Sequence, residues 1–340
     1  MSQQITAVTC VKNEGPFLLE WIAWHRLRGV THFLFYSNDC TDGTDTLLDR
    51  LSETGWLTHL PNPAEGRNYQ MEALKDAARQ PCLAQADWVW VADVDEFPLI
   101  HVGEGTFADL IAACGTPKAI SLNFHFFANG GVDAFEDRPV TAQFTSAHNP
   151  DIWGAELAIE VKSLVSIGFP LRYFGAHRPF AKANHAGKIP WTDGSGRQVP
   201  DDFHDAANKR RIRRFPARGA RAHATLHHYA LRSLESYLVK CDRGDVNRSN
   251  RAFDVAYWRE RNDNAVEDIS MLKHQKPLLA EMARLKMLPG VAEAHDAAVT
   301  AHRAKIAELL KDPVYRDLAS ALKAAPQMCE AEEAVLEMLG

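Results

Sequence analysis

The first hundred residues repeat one pattern, in which a short apolar segment precedes a longer amphipathic one. The short segments, rich in β-branched and aromatic residues as strands are, cover residues 5–11, 31–37, 56–61 and 87–93. The longer segments, which have apolar residues at helical spacing and glycines or capping residues at their ends, cover residues 17–29, 41–55 and 68–80. Strands that alternate with helices across short connections form a parallel sheet with right-handed crossovers. The pattern therefore predicts an α/β fold.

The pattern loosens after residue 100. Residues 119–130 predict a strand, and residues 155–168 contain further strands. The chain turns helical near residue 232, and residues 273–340 predict three amphipathic helices broken at Pro289-Gly290 and at Pro313. We expect one α/β domain over residues 1–250, followed by a helical C-terminal extension over residues 251–340.

Composition narrows the classes of protein that the chain can be. The formal net charge of −6 argues against general affinity for nucleic acid. No apolar run approaches the roughly 18–20 residues that span a membrane, and the N-terminus does not follow the pattern of a secretory signal. The six cysteines are scattered without a C-x-x-C pair, which favours a reduced, cytoplasmic protein.

Three acids directly follow the fourth predicted strand: Asp93, Asp95 and Glu96. Ligands of open parallel sheets bind beyond the carboxyl ends of the strands. In an extended backbone, alternate side chains share a face, so Asp93 and Asp95 would point the same way. Two carboxylates so near each other remain ionised when a cation lies between them. Oxygen ligands of this kind suit Mg²⁺ or Mn²⁺. Such a cation can neutralise a departing nucleoside diphosphate.

Several motifs together resemble those of a known enzyme group. They are "VTCVKNEGPFLLEWIAWHRLRGVTHFLFYSNDCTDGTDTLLDRL", "GRNYQMEALKDA", "VWVADVDEF" and "LHHYALRSLESYLVKCDRG". The sequence resembles the glycosyltransferase family 2-like group, which has a GT-A fold, and is similar to glycosyltransferase family 92. The resemblance covers roughly residues 5–250. It implies that residues 1–100 form a nucleotide-binding half and residues 101–250 an acceptor half.

The resemblance also implies which residues hold the donor. The candidates for the nucleotide-sugar are Lys12, Asn13, Glu14, Asn38, Arg67, Asp93 and Lys162. The candidate ligands of a Mn²⁺ or Mg²⁺ ion are Asp93, Asp95 and His228. Related enzymes commonly carry an aspartate at the end of the second strand, where it can accept a hydrogen bond from uracil. This chain has Ser37 there. We favour a UDP-sugar as the donor, although this difference leaves the identity of the nucleotide open. Arg232, Lys240 and Arg243 are expected near the diphosphate.

The resemblance implies inversion at the anomeric carbon, which needs one general base for the acceptor hydroxyl. Asp151, Glu156 and Glu160 are candidates on the acceptor side, and Asp133, Glu136 and Asp137 are further candidates. We expect Glu156 to be the base. Glu96 is expected to brace the aspartates or to contact the donor sugar.

The expected acceptor is a glycan or a lipid-linked glycan in cell-surface polysaccharide synthesis. The basic block at 209–221 and the C-terminal helices would then suit a peripheral contact with the inner face of the membrane, or a homodimer. Two alternatives stay open. A nucleotidyltransferase also places paired acids on a parallel sheet, although "CVKNEGPF" lacks the expected glycine-rich loop. A non-catalytic protein that binds carbohydrate or nucleotide-sugar would have no need of metal-binding acids.

Overall fold

A computed structural model describes residues 3–66, 68–150, 160–182, 185, 188–201, 217–244 and 253–339. The strands are β1 (Ile5–Val11), β2 (His32–Ser37), β3 (Leu57–Pro61), β4 (Trp88–Val91), β5 (Glu96–Ile100), β6 (Ala119–Phe126), β7 (Ser146–Ala147), β8 (Val161–Ser166), β9 (Leu171–Phe174), β10 (Pro179–Ala181), β11 (Trp191–Asp193), β12 (Ala224–His228) and β13 (Val266–Glu267). The helices are α1 (Gly15–Leu27), α2 (Thr44–Ser52), α3 (Tyr69–Ala77), α4 (Pro81–Ala84), α5 (Phe107–Ala113), α6 (Val140–Gln143), α7 (Leu234–Arg243), α8 (Val255–Arg259), α9 (Gln275–Lys286), α10 (Val291–Leu309), α11 (Pro313–Ala324) and α12 (Glu330–Leu339).

One mixed sheet organises the described part of the chain. Its strand order is β3-β2-β1-β4-β8-β6-β12-β5, and β11 also pairs with β6. Strands β1 to β4 are mutually parallel, as the alternating pattern predicts. Strand β8 runs antiparallel between β4 and β6, while β12 is parallel to β6 and antiparallel to β5. The predicted α/β class, with a mostly parallel sheet, is confirmed.

Both faces of the sheet are covered, which explains why the fourth strand is apolar throughout. Trp88 and Trp90 of β4 pack into one core cluster with α1, whereas Val89 and Val91 pack into the cluster on the opposite face. Strands buried on both sides have continuous apolar runs rather than alternating ones. Helix α1 is buried from Gly15 to His25, so it lies as a central layer against the sheet.

The C-terminal region has four long helices rather than the predicted three. The helix missed by the prediction is α12, which follows a break at residues 325–329. Ala325 is extended, with ψ of 145°, because it precedes Pro326, and a residue before proline avoids helical geometry. Helices α9 and α10 pack on α1, and Leu278, Leu285 and Val291 join its core cluster. Within the described ranges, none of the helices combines the length and the apolar character that crossing a membrane requires.

Candidate functional site

An open cleft of about 360 Å³ lies beyond the carboxyl ends of β1 and β4. Strands β1, β5, β6 and β12 contribute to it, together with α3, α7 and the region of α8. Its lining includes Cys10, Lys12, Glu14, Gln70, Asp93, Asp95, Glu96, Phe124, Glu160, His177, His228, Lys240, Arg243, Phe253, Tyr257 and Arg261. The cleft is therefore at the sheet edge where the sequence predicts a ligand site.

The acids lie in a tight turn and not in an extended strand. Strand β4 ends at Val91, and the Glu96 N–H donates to the Asp93 carbonyl at 3.1 Å. The Trp21 indole N–H donates to the carbonyls of Asp93 and Glu96 at 2.9 and 3.1 Å, which ties the turn to α1. The expectation that strand alternation aligns Asp93 with Asp95 is therefore wrong, because the chain reverses between β4 and β5. The turn itself brings the acids to one rim.

Glu96 braces the turn. Its Oε2 accepts the Asp93 N–H at 2.9 Å, while Oε1 is buried and has no hydrogen-bond partner among the described residues. The side chain is 1% exposed. Burial raises the pKa of Glu96 well above its usual range; Lys162 opposes this shift, and the charges of Asp93 and Asp95 add to it. One of the two roles expected of Glu96, bracing the aspartates, matches its position.

Lys162 is a fully buried cation beneath the acids. Its Nζ donates to Asp93 Oδ2 at 2.9 Å and lies 3.4 Å from Glu96 Oε2. Burial lowers the pKa of Lys162, but the charges of Asp93 and Glu96 outweigh this effect, so the net shift is upward. Gln70 donates to the other Asp93 oxygen at 3.0 Å. Lys162 therefore faces carboxylates, with Asp93 between it and the open cleft.

Asp95 is held by two side chains, those of Lys240 and His228. Lys240 Nζ donates to Asp95 Oδ2 at 3.2 Å, and His228 Nε2 lies 3.4 Å from Asp95 Oδ1. Burial raises the pKa of Asp95, yet Lys240 and His228 together hold it well below its usual range. Asp95 thus stays ionised at neutral pH.

The residues fit a divalent cation by their chemistry. One ligand atom each from Asp95, Glu96 and His228 lies within 4.8 Å of the others. The buried oxygen of Glu96 without a partner is the kind of atom that a cation satisfies. Asp93 is outside this group, because both of its carboxylate oxygens accept hydrogen bonds from protein side chains.

Glu14 links the turn that follows β1 to helix α7. It accepts hydrogen bonds from Arg243 and, at 2.7 Å, from Arg232. Arg243 also donates to the Lys12 carbonyl at 2.7 Å. Burial raises the pKa of Glu14, but the two guanidinium groups lower it to about 2. These arginines, expected near the diphosphate, are thus used to hold the turn that follows β1 against α7.

Replacing Glu14 by Gln is expected to lower the free energy of unfolding by about 3 kcal/mol at pH 7, because two buried guanidinium groups lose their countercharge. Because folding lowers the pKa of Glu14 from 4.5 to about 2, its stabilisation is present above about pH 4.5 and is lost as pH falls toward 2. Urea unfolding at pH 7 and at pH 3.5 should show a smaller gap between the two proteins at the lower pH.

Glu53→Gln is the matched control, because Glu53 is 56% exposed and pairs only with Arg50, itself exposed. It should cost less than about 0.5 kcal/mol at either pH. Equal stability of the Glu14→Gln variant and the native protein at pH 7 would contradict the role given to Glu14.

The remaining nucleotide candidates divide into two groups. Lys12 lines the cleft and makes no ion pair with any described residue. Asn13, at φ of 52°, accepts the Thr41 N–H at 2.7 Å and so fixes the loop after β2. Asn38 is 9% exposed and is not among the residues that line the cleft. Ser37 hydrogen bonds to His59 at 2.8 Å.

Three predictions fall outside the described residues: Arg67, Asp151 and Glu156. The basic block is also largely outside them, since residues 202–216 are not described. Of the carboxylates considered as general base, Glu160 is described and lines the cleft, whereas Asp133, Glu136 and Asp137 are described and do not line it.

Sequence reasoning missed a wall of the cleft formed by Phe253, Tyr257 and Arg261. The Arg261 guanidinium lies 3.7 Å from the centre of the Tyr257 ring. The segment carries no motif and lies in the region taken as C-terminal extension. Gln70 was missed as well, although it falls in the quoted "GRNYQMEALKDA".

Comparison with known proteins gives a partial match. The sequence model of Glycosyltransferase family 92 matches residues 6–150. A glycosyltransferase family 92 protein of Ricinus communis is 28% identical over 156 residues, covering 42% of this chain and 26% of that protein. One of Oryza sativa subsp. japonica is 27% identical over 144 residues, covering 40% and 24%. The matches thus span about a quarter of the length of these curated relatives. The resemblance to family 92 is confirmed.

Among solved structures, S. aureus TarS 1–349 in complex with UDP has a TM-score of 0.31 and 11% identity, over 48% of this chain and 47% of that one. The same protein in complex with UDP-GlcNAc has a TM-score of 0.30 and 10% identity, over 91% and 92%. Scores this low do not establish a shared site.

Proposed function

We propose that this chain, whose residues 6–150 match the sequence model of glycosyltransferase family 92, transfers a sugar from a nucleotide-sugar donor to a glycan or lipid-linked acceptor. The observation that carries the proposal is the meeting of the acidic turn 93–96 with His228 and Lys12 around one cleft at the carboxyl edge of the sheet. A pyrophosphate needs positive charge at such an edge, and a divalent cation on these acids would supply it.

Asp95, Glu96 and His228 would hold that cation, with Asp93 beside them. When bound, Mn²⁺ or Mg²⁺ would neutralise charge on the departing diphosphate. Lys12, which makes no ion pair with any described residue, is on the same rim and would contact the phosphates directly. Lys162 keeps Asp93 in place from below, because its Nζ donates to the inner oxygen of that carboxylate.

The acceptor is proposed to enter along Phe253 and Tyr257, since aromatic rings provide apolar faces with a polar tip for a sugar ring. Inversion requires a carboxylate on this side to take the hydroxyl proton. Glu160 is the described residue of that kind, and Glu156 is the second candidate. A role in cell-surface polysaccharide synthesis at the cytoplasmic face of the membrane, and a homodimer, are the remaining parts of the proposal.

A thermal-shift screen of UDP, GDP and their sugars, with and without Mn²⁺, tests the donor site. A ligand at about 100 times its Kd stabilises the folded state by about 2.7 kcal/mol, so one nucleotide should raise the melting temperature by several degrees. The shift should be larger with Mn²⁺. A complete panel without any metal-enhanced shift would overturn the proposal.

Product analysis separates the proposal from the open alternatives. The proposed enzyme should slowly hydrolyse the stabilising nucleotide-sugar to nucleoside diphosphate and free sugar when acceptor is absent. A nucleotidyltransferase would release pyrophosphate from a nucleoside triphosphate and a sugar phosphate. A binding protein would show the thermal shift without turnover.

A further inference from the structure

A second group of metal-ligating side chains lies outside the cleft. It consists of His125 on β6, His227 on β12 and Asp268, which follows β13. His125 and His227 are direct neighbours across the parallel pair β6–β12. Successive residues of a strand point to opposite faces, so His227 and His125 face away from His228 and Phe124, which line the cleft.

The carboxylate of Asp268 closes the group. Asp268 Oδ2 lies 3.5 Å from His125 Nδ1 and 3.9 Å from His227 Nε2. The three ligand atoms lie within 4.8 Å of one another. Bonds of about 2.1 Å in a tetrahedral site place ligand atoms about 3.4 Å apart, so small side-chain rotations suffice to bind one ion.

The hydrogen bonds around the group leave the lone pair of a His125 nitrogen facing the Asp268 carboxylate. His125 Nε2 lies 3.2 Å from the His148 carbonyl, which can only accept, so the ring proton belongs on Nε2. The Nδ1 lone pair then faces the Asp268 carboxylate. Metal-binding histidines commonly donate their second nitrogen to a backbone carbonyl in this way. Asp268 is positioned likewise, since its Oδ1 accepts the Ser270 N–H at 2.8 Å.

The burial of His227 and the surroundings of its ring nitrogens also favour a bound ion. It is 1% exposed, its Nδ1 has no hydrogen-bond partner among the described residues, and its Nε2 is too far from Asp268 for a hydrogen bond. The ring nitrogen nearest to Asp268 is Nε2, and a proton on Nδ1 would leave the Nε2 lone pair facing the group.

We propose that His125, His227 and Asp268 bind one Zn²⁺ ion. Two imidazoles and one carboxylate suit zinc better than Mg²⁺ or Mn²⁺, which prefer oxygen ligands. Asp268 is 21% exposed, which gives the ion a route from solvent and leaves a coordination position for water. The ion would tie the segment after β13 to the centre of the sheet, behind the strand that carries His228.

Cobalt titration of the purified full-length chain tests the site. After dialysis against a chelator, the protein should bind about one equivalent of Co²⁺ with the visible absorption bands of a tetrahedral complex, and Zn²⁺ should displace it. His227→Gln and Asp268→Asn should weaken Zn²⁺ binding on the order of 100-fold or more, as measured by competition with a chromophoric chelator. Circular dichroism should show both variants folded.

Two controls separate this site from other sources of binding. His32→Gln removes a half-buried histidine of β2 that hydrogen bonds to Thr58, and it should leave Zn²⁺ binding unchanged. Asp95→Asn should also leave the cobalt bands unchanged, because Asp95 belongs to the cleft. Bands lost in Asp95→Asn but kept in His227→Gln would assign the ion to the cleft and overturn the proposal.

If both ligand variants fail to fold, measurements on the native protein alone test the proposal. Absence of tetrahedral cobalt bands and of chelator-resistant zinc in the folded native protein would overturn the proposal. Neither readout requires sugar transfer, so the zinc site and the proposed glycosyltransferase activity can fail separately.

Discussion

Asp95→Asn is expected to lower the rate of metal-dependent cleavage of the nucleotide-sugar on the order of 1,000-fold. The asparagine keeps the size of the side chain but removes the charge that would attract the cation, and a cation at a departing diphosphate is worth several kcal/mol. The fold should persist, because Lys240 retains its hydrogen bond to the Ala230 carbonyl at 2.7 Å. Initial rates at saturating donor, with Mn²⁺ varied, measure the effect.

The matched control is Asp133→Asn. Asp133 is 54% exposed, pairs with Lys323 on the surface and does not line the cleft. Its rate and its melting temperature should stay close to those of the native protein. An Asp95→Asn variant that kept the native rate and the native response to Mn²⁺ would contradict the assignment of a cation to this turn.

Lys162→Met is expected to lower the free energy of unfolding by about 3–5 kcal/mol at pH 7. Removing one member of a buried charge group leaves Asp93 and Glu96 without compensation, and this costs more than the pair contributes. Because folding raises the pKa of Lys162, its contribution in the native protein is present below about pH 10.5 and is lost only at higher pH. Urea unfolding measures the difference.

Two further measurements make the Lys162 prediction specific. The loss should shrink between pH 7 and pH 5, because protonation of the orphaned Glu96 carboxylate removes the buried charge. Adding Glu96→Gln to Lys162→Met should restore part of the stability for the same reason. Lys118→Met, at an exposed position at the start of β6, should change the free energy of unfolding by less than about 0.5 kcal/mol. A Lys162→Met variant with native stability and no pH dependence would show that the buried charges do not interact.

Local periodicity was sufficient to predict the first half of the sheet. Each of β1 to β4 falls within a segment expected to be a strand, because in this part of the chain strand and helix have different hydrophobic spacings. The break at residues 325–329 was missed, although Pro326 marks it in the same way as Pro313 marks the preceding break. The two-residue strands β7 and β13 were also missed, since they exist only through pairing with each other.

Within the candidate site, the sequence predicted an acidic edge of the sheet, and the structure places Asp93 and Asp95 there in a turn. The end of a buried parallel strand is a place where ligands bind, and that rule located the turn at Asp93 and Asp95. The rule does not predict which cationic side chain each carboxylate contacts. Lys162 and Lys240 follow the turn by 69 and 145 residues along the chain, so only folding brings them to it.

The sequence by itself determined the layered α/β order of the first hundred residues and the acidic edge of the sheet, because both follow from patterns of neighbouring residues. The tertiary structure decided the rest. It placed a buried lysine under the acids and added the α8 segment to the cleft. It also brought together His125 of β6, His227 of β12 and Asp268 of the segment after β13. Contacts between residues far apart in the chain depend on how the whole sheet packs, and no local pattern encodes that packing.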